Sequence, residues 1–286
     1  MIDIRQTPQY AKHLKKTGWI VERHAEINYF IKKFPVIGST IKIQRPQKIR
    51  IKKTVDLAKK YRAFQIIYEP KNDLDAKYLQ SCDYKLSKSP YLPSKTLHID
   101  LTKSKDKILK QMKKDARHSI KRTKNLKTQE LKNEKNIEEF RNSWIKSVGL
   151  KRYVPSIASL KALKVSFKER SLFLLAFNNE AGVPAKALAS AGAIFLIGDK
   201  TAYYWQAFTS KKGRKTLAQY RLVWKGILWA KREKAKILDF EGIYDARFPN
   251  KRWLGFTHFK KSFGGYVVEY PGAYTKFFLF DTILKR

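Results

Sequence analysis

Apolar residues recur along this chain with two spacings, every second residue and every third or fourth, and the two alternate from one end to the other. Residues 6–19 form a predicted helix that stops at Gly18, with Tyr10, His13, Leu14 and Thr17 on one face and Lys12, Lys15 and Lys16 on the other. Residues 19–31 and 34–43 read as strands, broken at Pro35 and Gly38. A helix over 53–61, a strand over 63–68 halted by Glu69-Pro70, and a short helix over 73–82 follow. A Pro-rich connector, Ser89-Pro90-Tyr91-Leu92-Pro93, leads to a strand over 96–101. Next the spacing predicts one long helix, 104–125, with Ile108, Leu109, Met112, Ala116 and Ile120 inward.

Residues 126–135 are polar and without period, and the main division of the chain is placed there. Helices are expected over 136–148 and 156–168, the second capped by Ser156. A meander over 172–177, 185–197 and 201–208 has turns at 178–184 and 198–200. A basic segment, Ser210-Lys211-Lys212-Gly213-Arg214-Lys215, precedes a helix over 216–234. Then come a strand, Ile237-Leu238-Asp239-Phe240-Glu241, ending in Gly242; a loop with Arg247, Pro249 and Arg252; and a short helix from Leu254 closed by Gly264-Gly265. Strands over 266–270 and 276–282 end the chain. The alternation indicates an α/β (α+β) protein in two halves, 1–127 and 128–268, with 269–286 returning to complete the first.

Charge sharpens this picture. The 286 residues carry a formal net charge of +38, which attracts polyanions: nucleic acid, anionic lipid or phosphorylated substrates. General lysine enrichment is the competing explanation. The outer face of the 104–125 helix shows Lys110, Lys113, Lys114, Arg117, Lys121, Arg122 and Lys124, a one-sign stripe where a structural helix usually mixes signs. We expect Lys113, Lys114, Arg117 and Lys121 to meet phosphates, with Arg214 facing RNA from its basic loop. Cys82 stands alone, so neither an intrachain disulfide nor a cysteine metal site is expected. Neither a leader peptide nor a membrane span is expected, which suggests a cytoplasmic protein free to touch the inner membrane surface; a monomer is expected.

The catalytic inventory is thin. There is no Ser-His-Asp pattern, H-E-x-x-H or Walker loop, and His13, His24, His98, His118 and His258 are scattered. What remains is a lysine, Lys260 or its neighbour Lys261, set among aromatic residues beside a glycine-ended turn, with His258, Asp239 and Glu241 close in sequence.

The run Asp239-Phe240-Glu241-Gly242-Ile243, followed by Gly255-Phe256-Thr257-His258-Phe259-Lys260-Lys261-Ser262-Phe263-Gly264-Gly265, resembles the signature of the Fem family. These are aminoacyl-tRNA-dependent transferases that build peptidoglycan cross-bridges. Leu109, Met112, Arg117, Ile120 and Arg122 fit a second family pattern, and Gln6, Tyr10, Lys15, Gly18 and Trp19 fit its opening. The resemblance implies tandem acetyltransferase-like (GNAT-type) domains, with mixed sheets flanked by helices and no coiled-coil arm. It implies that Lys260 steadies the oxyanion of ester aminolysis and that Phe259 packs near the terminal nucleotide of the tRNA. It places Lys15, or Lys16, on the diphosphate of the precursor, and Arg152, Tyr153 and Tyr204 on its sugar-peptide part. Aminoacyl-tRNA is then a co-substrate, with no cofactor or metal, and the acceptor is a lipid-linked or UDP-linked muropeptide. Two departures touch the acceptor: Ala273 where an acid is usual, and Gln206 in place of a tyrosine. Two other functions fit the residues, an N-acyltransferase acting on another amine and a non-catalytic binder of RNA or anionic surfaces.

Overall fold

The computed structural model describes residues 1–132, 136–149, 152–177 and 188–278. They form two mixed sheets built on one plan. In the first, β1 (Ile20–His24), β2 (Ile27–Phe34) and β3 (Gly38–Gln44) make an antiparallel meander. The helix α2 (Ile51–Tyr61) then crosses over to β4 (Ala63–Glu69), parallel to β3. In the second, β8 (Ser171–Ala176), β9 (Ala191–Gly198) and β10 (Thr201–Thr209) repeat the meander. The short helix α8 (Lys211–Lys215) and the long α9 (Ala218–Arg232) then cross to β11 (Ile237–Asp239), parallel to β10. Each sheet thus has one parallel pair, and each needs a helix to make it.

Beyond that pair the sheets are completed from a distance. Next to β4 lies β13 (Tyr274–Phe277) from the end of the chain, followed by β5 (Lys85–Leu86). The expected return of the C-terminal segment to the first half is therefore observed as far as residue 278; the rest of that strand lies outside the described residues, as do Leu150 and the 178–184 turn. Next to β11 lies β6 (Lys95–Asp100), then β12 (Tyr266–Glu269). An edge strand, β7 (Thr128–Glu130), closes the other side.

The position of β6 corrects the division expected at residue 127. Leu97 and Ile99 join the core of the second sheet, and so do Ile108, Met112, Ala116 and Ile120 from the segment that follows. The sheets therefore part at residues 87–94, the Pro-rich connector. The polar stretch after 125 is only the approach to β7, and its composition carries no information about which sheet its neighbours join.

The long helix expected over 104–125 is two helices, α4 (Lys105–Gln111) and α5 (Lys114–Arg122). Met112 and Lys113 are extended between them, and Met112 is buried. Tertiary contact explains the break. The Lys113 amide donates to the Ser262 carbonyl at 2.8 Å, and the Gln111 carbonyl lies against Gly264. Two smaller differences have local causes. Residues 19–31 are two strands, because Ala25 and Glu26 both take positive φ in a tight turn that neither residue type advertises. Residues 210–215 coil into α8, capped by the Ser210 hydroxyl, which accepts from the Gly213 amide at 3.0 Å.

Helices cover both faces of the second sheet. On one side α4, α5, α9 and α10 (Leu254–Lys261) bury Phe195, Leu222, Ile227 and Phe263. On the other, α6 (Ile137–Val148) and α7 (Ile157–Phe167) bury Phe140, Trp144 and Phe173, with Ile4 from the start of the chain. Burial on both faces explains why β8 and β9 read as continuous apolar runs.

Candidate active site

The site grows from the end of β11. After Asp239 the chain turns through Phe240, Glu241 at φ +52 and Gly242 at φ +107. The second of these positions demands glycine. A Cβ there would stand 2.8 Å from both Pro93 and the Trp253 ring, in a backbone region L-residues avoid. Two left-handed residues in succession curl the chain so that the carbonyls of Phe240 and Gly242 converge. The Lys260 ammonium, reaching back from α10, donates to them at 2.7 and 2.5 Å.

Lys260 is only 8% exposed. Its Nζ lies 4.8 Å from the Phe256 ring centroid and 5.9 Å from that of Tyr204. Burial pushes the ammonium down to about 8, opposed by the negative charges of Glu241 and Asp239 and assisted by Arg152. Lys261 is exposed, and so is His258. Of the two lysines in the motif, then, it is Lys260 that sits in the aromatic pocket. Its helix is pinned by the Thr257 hydroxyl, which donates to the Trp253 carbonyl and accepts from the Tyr244 amide.

Around this lysine lies a buried ionic layer. Asp239 accepts from the Thr96 hydroxyl at 2.5 Å and the Glu241 amide at 2.7 Å, and pairs with His98 Nε2 at 3.1 Å. Burial would raise this carboxyl, but the His98 and Thr96 contacts outweigh it and hold the group below the usual carboxylate range. Glu241 is pushed up by burial, against the pull of Arg5. Arg5 Nη2 donates to Glu241 at 2.5 Å, and Arg5 Nη1 to Asp3 at 3.1 Å. Asp3 also takes Arg45 at 3.2 Å, whose guanidinium stacks 3.6 Å from the Tyr270 ring centroid. The first turn of the chain is thereby locked between the two sheets. Sequence reading overlooked Asp3, Arg5 and Arg45, because a buried arginine carries no local signature. It also overlooked the partnership of His98 with Asp239, two residues 141 positions apart.

The other predicted residues divide. Tyr204 is buried against Lys260, its hydroxyl accepting from Gln219 at 2.6 Å, and burial pushes its ionisation up. Arg152 is exposed, but its charge reaches both Lys260 and Tyr204. Tyr153 is 80% exposed in the same loop, which feeds α7, and α7 packs on α1 (Pro8–Lys16), the helix that carries exposed Lys15. Phe259 turns away from Lys260 to pack on Tyr220 and Phe263, at 4.9 and 5.2 Å between ring centroids. The ring beside the ammonium is that of Phe256, three positions earlier. Lys113, Lys114 and Lys121 are exposed as expected. Arg117 also bridges the helix break, donating to the Met112 carbonyl at 2.7 Å and to the Lys110 carbonyl at 3.2 Å, and Arg214 donates to the Thr209 carbonyl at 2.9 Å.

Two further features bear on the chemistry. Among the described residues no three His, Cys, Asp or Glu side chains gather closely enough to hold a metal. The segment before α9 does not fit a pyrophosphate cradle. The Gly213 amide already bonds Ser210, and a Cβ on Gly213 would stand 2.3 Å from the Ser190 carbonyl, so no open loop is left there.

Comparison with known proteins agrees with this architecture. The family model described as the FemAB family matches residues 121–278. No curated protein matches the sequence. Among solved structures, FemX superposes with a TM-score of 0.78 at 16% identity, over 96% of this chain and 92% of that one. The C-terminal domain of a putative lysylphosphatidylglycerol synthetase from Agrobacterium fabrum gives 0.64 at 11% identity, over 98% and 91%. A tandem GNAT protein from the clavulanic acid biosynthesis pathway gives 0.51 at 9%, over 88% and 82%. At such identities the likeness is one of fold, and the fold is two acetyltransferase-like halves in tandem.

Proposed function

The chain belongs to the FemAB family, and from that premise we propose that it transfers an aminoacyl group from aminoacyl-tRNA to an amine on the stem peptide of a peptidoglycan precursor. The observation that carries this reading is the Lys260 ammonium, buried among aromatic rings and aimed by two backbone carbonyls. In the reaction the acceptor nitrogen attacks the ester carbonyl carbon, and negative charge develops on the carbonyl oxygen. The new C–N bond forms, the C–O bond to the terminal ribose breaks, and the amine proton ends on the departing hydroxyl. Two of the three ammonium protons of Lys260 are held by Phe240 and Gly242. The third is the donor for the developing oxyanion, in a site where low exposure strengthens the interaction. Aminolysis of an activated ester needs placement and this charge, with neither metal nor cofactor.

Lys15, Arg152 and Tyr153 are assigned to the lipid-linked or UDP-linked muropeptide, and Tyr204 to the wall between acceptor and Lys260. Phe256 is the phenyl ring at the ammonium, and Phe259, assigned to the terminal nucleotide of the tRNA, packs on Tyr220 and Phe263. Lys113, Lys114 and Lys121, with Arg117 and Arg214, give the tRNA an exposed cationic track. The protein works as a cytoplasmic monomer. Among the described residues no helix is long and apolar enough to cross a membrane.

The test is incubation with radiolabelled aminoacyl-tRNA and either muropeptide, reading a mass gain of one amino acid residue. Transfer by the wild type, lost in a folded Lys260→Ala variant, is the expected result. Undiminished transfer by that variant would overturn the role of Lys260. Label retained on RNA that binds without transfer, across the panel of charged tRNAs, would favour the non-catalytic binder.

A further inference from the structure

The turn between β2 and β3 exposes apolar side chains, of which Phe34 also packs against the Phe64 ring at 6.0 Å. Val36 is 96% exposed, Ile37 50% and Phe34 39%. Val36 also sits at φ +66, a region that β-branched residues avoid and that glycine or asparagine fills in ordinary surface turns. A turn facing only water gains nothing from valine there. The apolar choice is made against both solvation and backbone preference, which marks the tip as a contact surface.

The topology surrounds this tip with cations. The register of β1 with β2, Ile20 opposite Ile31, puts the end of α1 and its exposed Lys16 at the same end of the sheet. The parallel pairing of β3 with β4 puts exposed Arg62, itself left-handed at φ +50, beside the start of β3. Lys33 is exposed immediately before Phe34. Among the described residues, Glu22 on β1 is already paired with Lys60 at 2.7 Å. A protruding apolar wedge in a cationic collar is complementary to one kind of partner: a surface that offers hydrocarbon beneath a layer of negative charge.

We propose that the Phe34–Ile37 turn docks on an anionic lipid bilayer, with Val36 and Ile37 entering the headgroup boundary and Lys16, Lys33 and Arg62 lying on the headgroups. This goes beyond the transferase reading and does not depend on it.

The experiment is co-sedimentation of the full chain with phosphatidylcholine vesicles, with and without phosphatidylglycerol. The expected result is binding to the anionic vesicles and none to phosphatidylcholine alone. The double substitution Val36→Ser and Ile37→Ser should weaken binding about tenfold, and Lys33→Gln should weaken it less and flatten its salt dependence. Thermal unfolding checks that both variants stay folded: Val36 is 96% exposed, and the contacts at stake are only those of half-exposed Ile37 and of Lys33 with the Tyr61 ring at 5.9 Å. Absence of binding to anionic vesicles overturns the proposal. So does binding that the double substitution leaves unchanged, which would assign it to diffuse positive charge. A concentration-dependent dimer that the double substitution abolishes, without vesicle binding, overturns it in favour of a second copy of the chain.

Discussion

Lys260 and Glu241 are linked through the main chain: the ammonium donates to the carbonyls on either side of Glu241, those of Phe240 and Gly242. The Glu241 carboxylate is at the same time bound by Arg5 at 2.5 Å. Three segments far apart in sequence, at 3–5, 239–242 and 260, therefore share one arrangement. The left-handed backbone at Glu241 aims the carbonyls, and the ion pair with Arg5 keeps that backbone in place.

The first consequence concerns pH. Burial brings Lys260 from its usual 10.5 to about 8. If the charged form is the competent one, the single-turnover transfer rate at saturating acceptor falls as pH rises through about 8. Lys260→Met abolishes that alkaline limb and lowers the rate roughly a hundredfold or more, the loss typical of an oxyanion donor. Stability moves in the other direction. Between about 8 and 10.5 the unfolded chain holds a proton that the folded chain has released, so this group adds stability as pH rises across that window. The difference in urea stability between wild type and Lys260→Met should grow in favour of the wild type over that range, by at most about 3.5 kcal/mol at ~1.4 kcal/mol per pKa unit.

The second consequence concerns Arg5. Both it and Glu241 are almost fully buried, so removing one leaves a charge without its partner. Glu241→Gln or Arg5→Met alone should each cost roughly 3 kcal/mol, and the double variant clearly less than their sum. Denaturant titration of the four proteins measures the coupling, and simple additivity would show that the pair is not a unit. Because the Glu241 charge raises Lys260, Glu241→Gln should also shift the alkaline limb of transfer to lower pH. An unchanged limb would mean that the carboxylate is electrostatically remote from the ammonium.

Much of this site is legible in the sequence, for a physical reason. Gly242, Gly264 and Gly265 each take a positive φ, a local demand that glycine itself advertises, and the strand before them and the lysine between are contiguous with them in sequence. The features that escape are those in which distant segments meet. Met112 and Lys113 break a helix that periodicity supports, because the Ser262 carbonyl claims the Lys113 amide. The segment holding Leu97 and Ile99 joins the second sheet through β11, which alternation alone cannot specify. Which phenylalanine of the motif lies beside the ammonium is set by helix rotation. Phe259 faces the apolar side chains of α9, and Phe256, nearly a full turn earlier, is left toward the open side with Lys260.

The glycines that end α10 give the sharpest test of that local logic. Gly264 and Gly265 have φ of +76 and +92, and a Cβ on them would stand 2.5 Å from the Gln111 carbonyl oxygen and 2.2 Å from that of His98. Both obstacles are main chain, which cannot swing aside as a side chain can. Gly265 moreover abuts the strand that supplies His98 to Asp239. Alanine at either site should therefore cost roughly 3 kcal/mol or more, from the left-handed penalty plus displaced backbone. Gly255 makes the contrast. It lies within the same helix without a positive φ, and a Cβ added to it would meet nothing within 4 Å. Gly255→Ala should raise stability by about 0.5–1 kcal/mol, through helix propensity and reduced freedom of the unfolded chain. Thermal unfolding of the three variants decides the matter. Equal melting temperatures would mean that the Gly-Gly turn can relax, and that the position of α10, with Lys260 on it, is not fixed by these two residues.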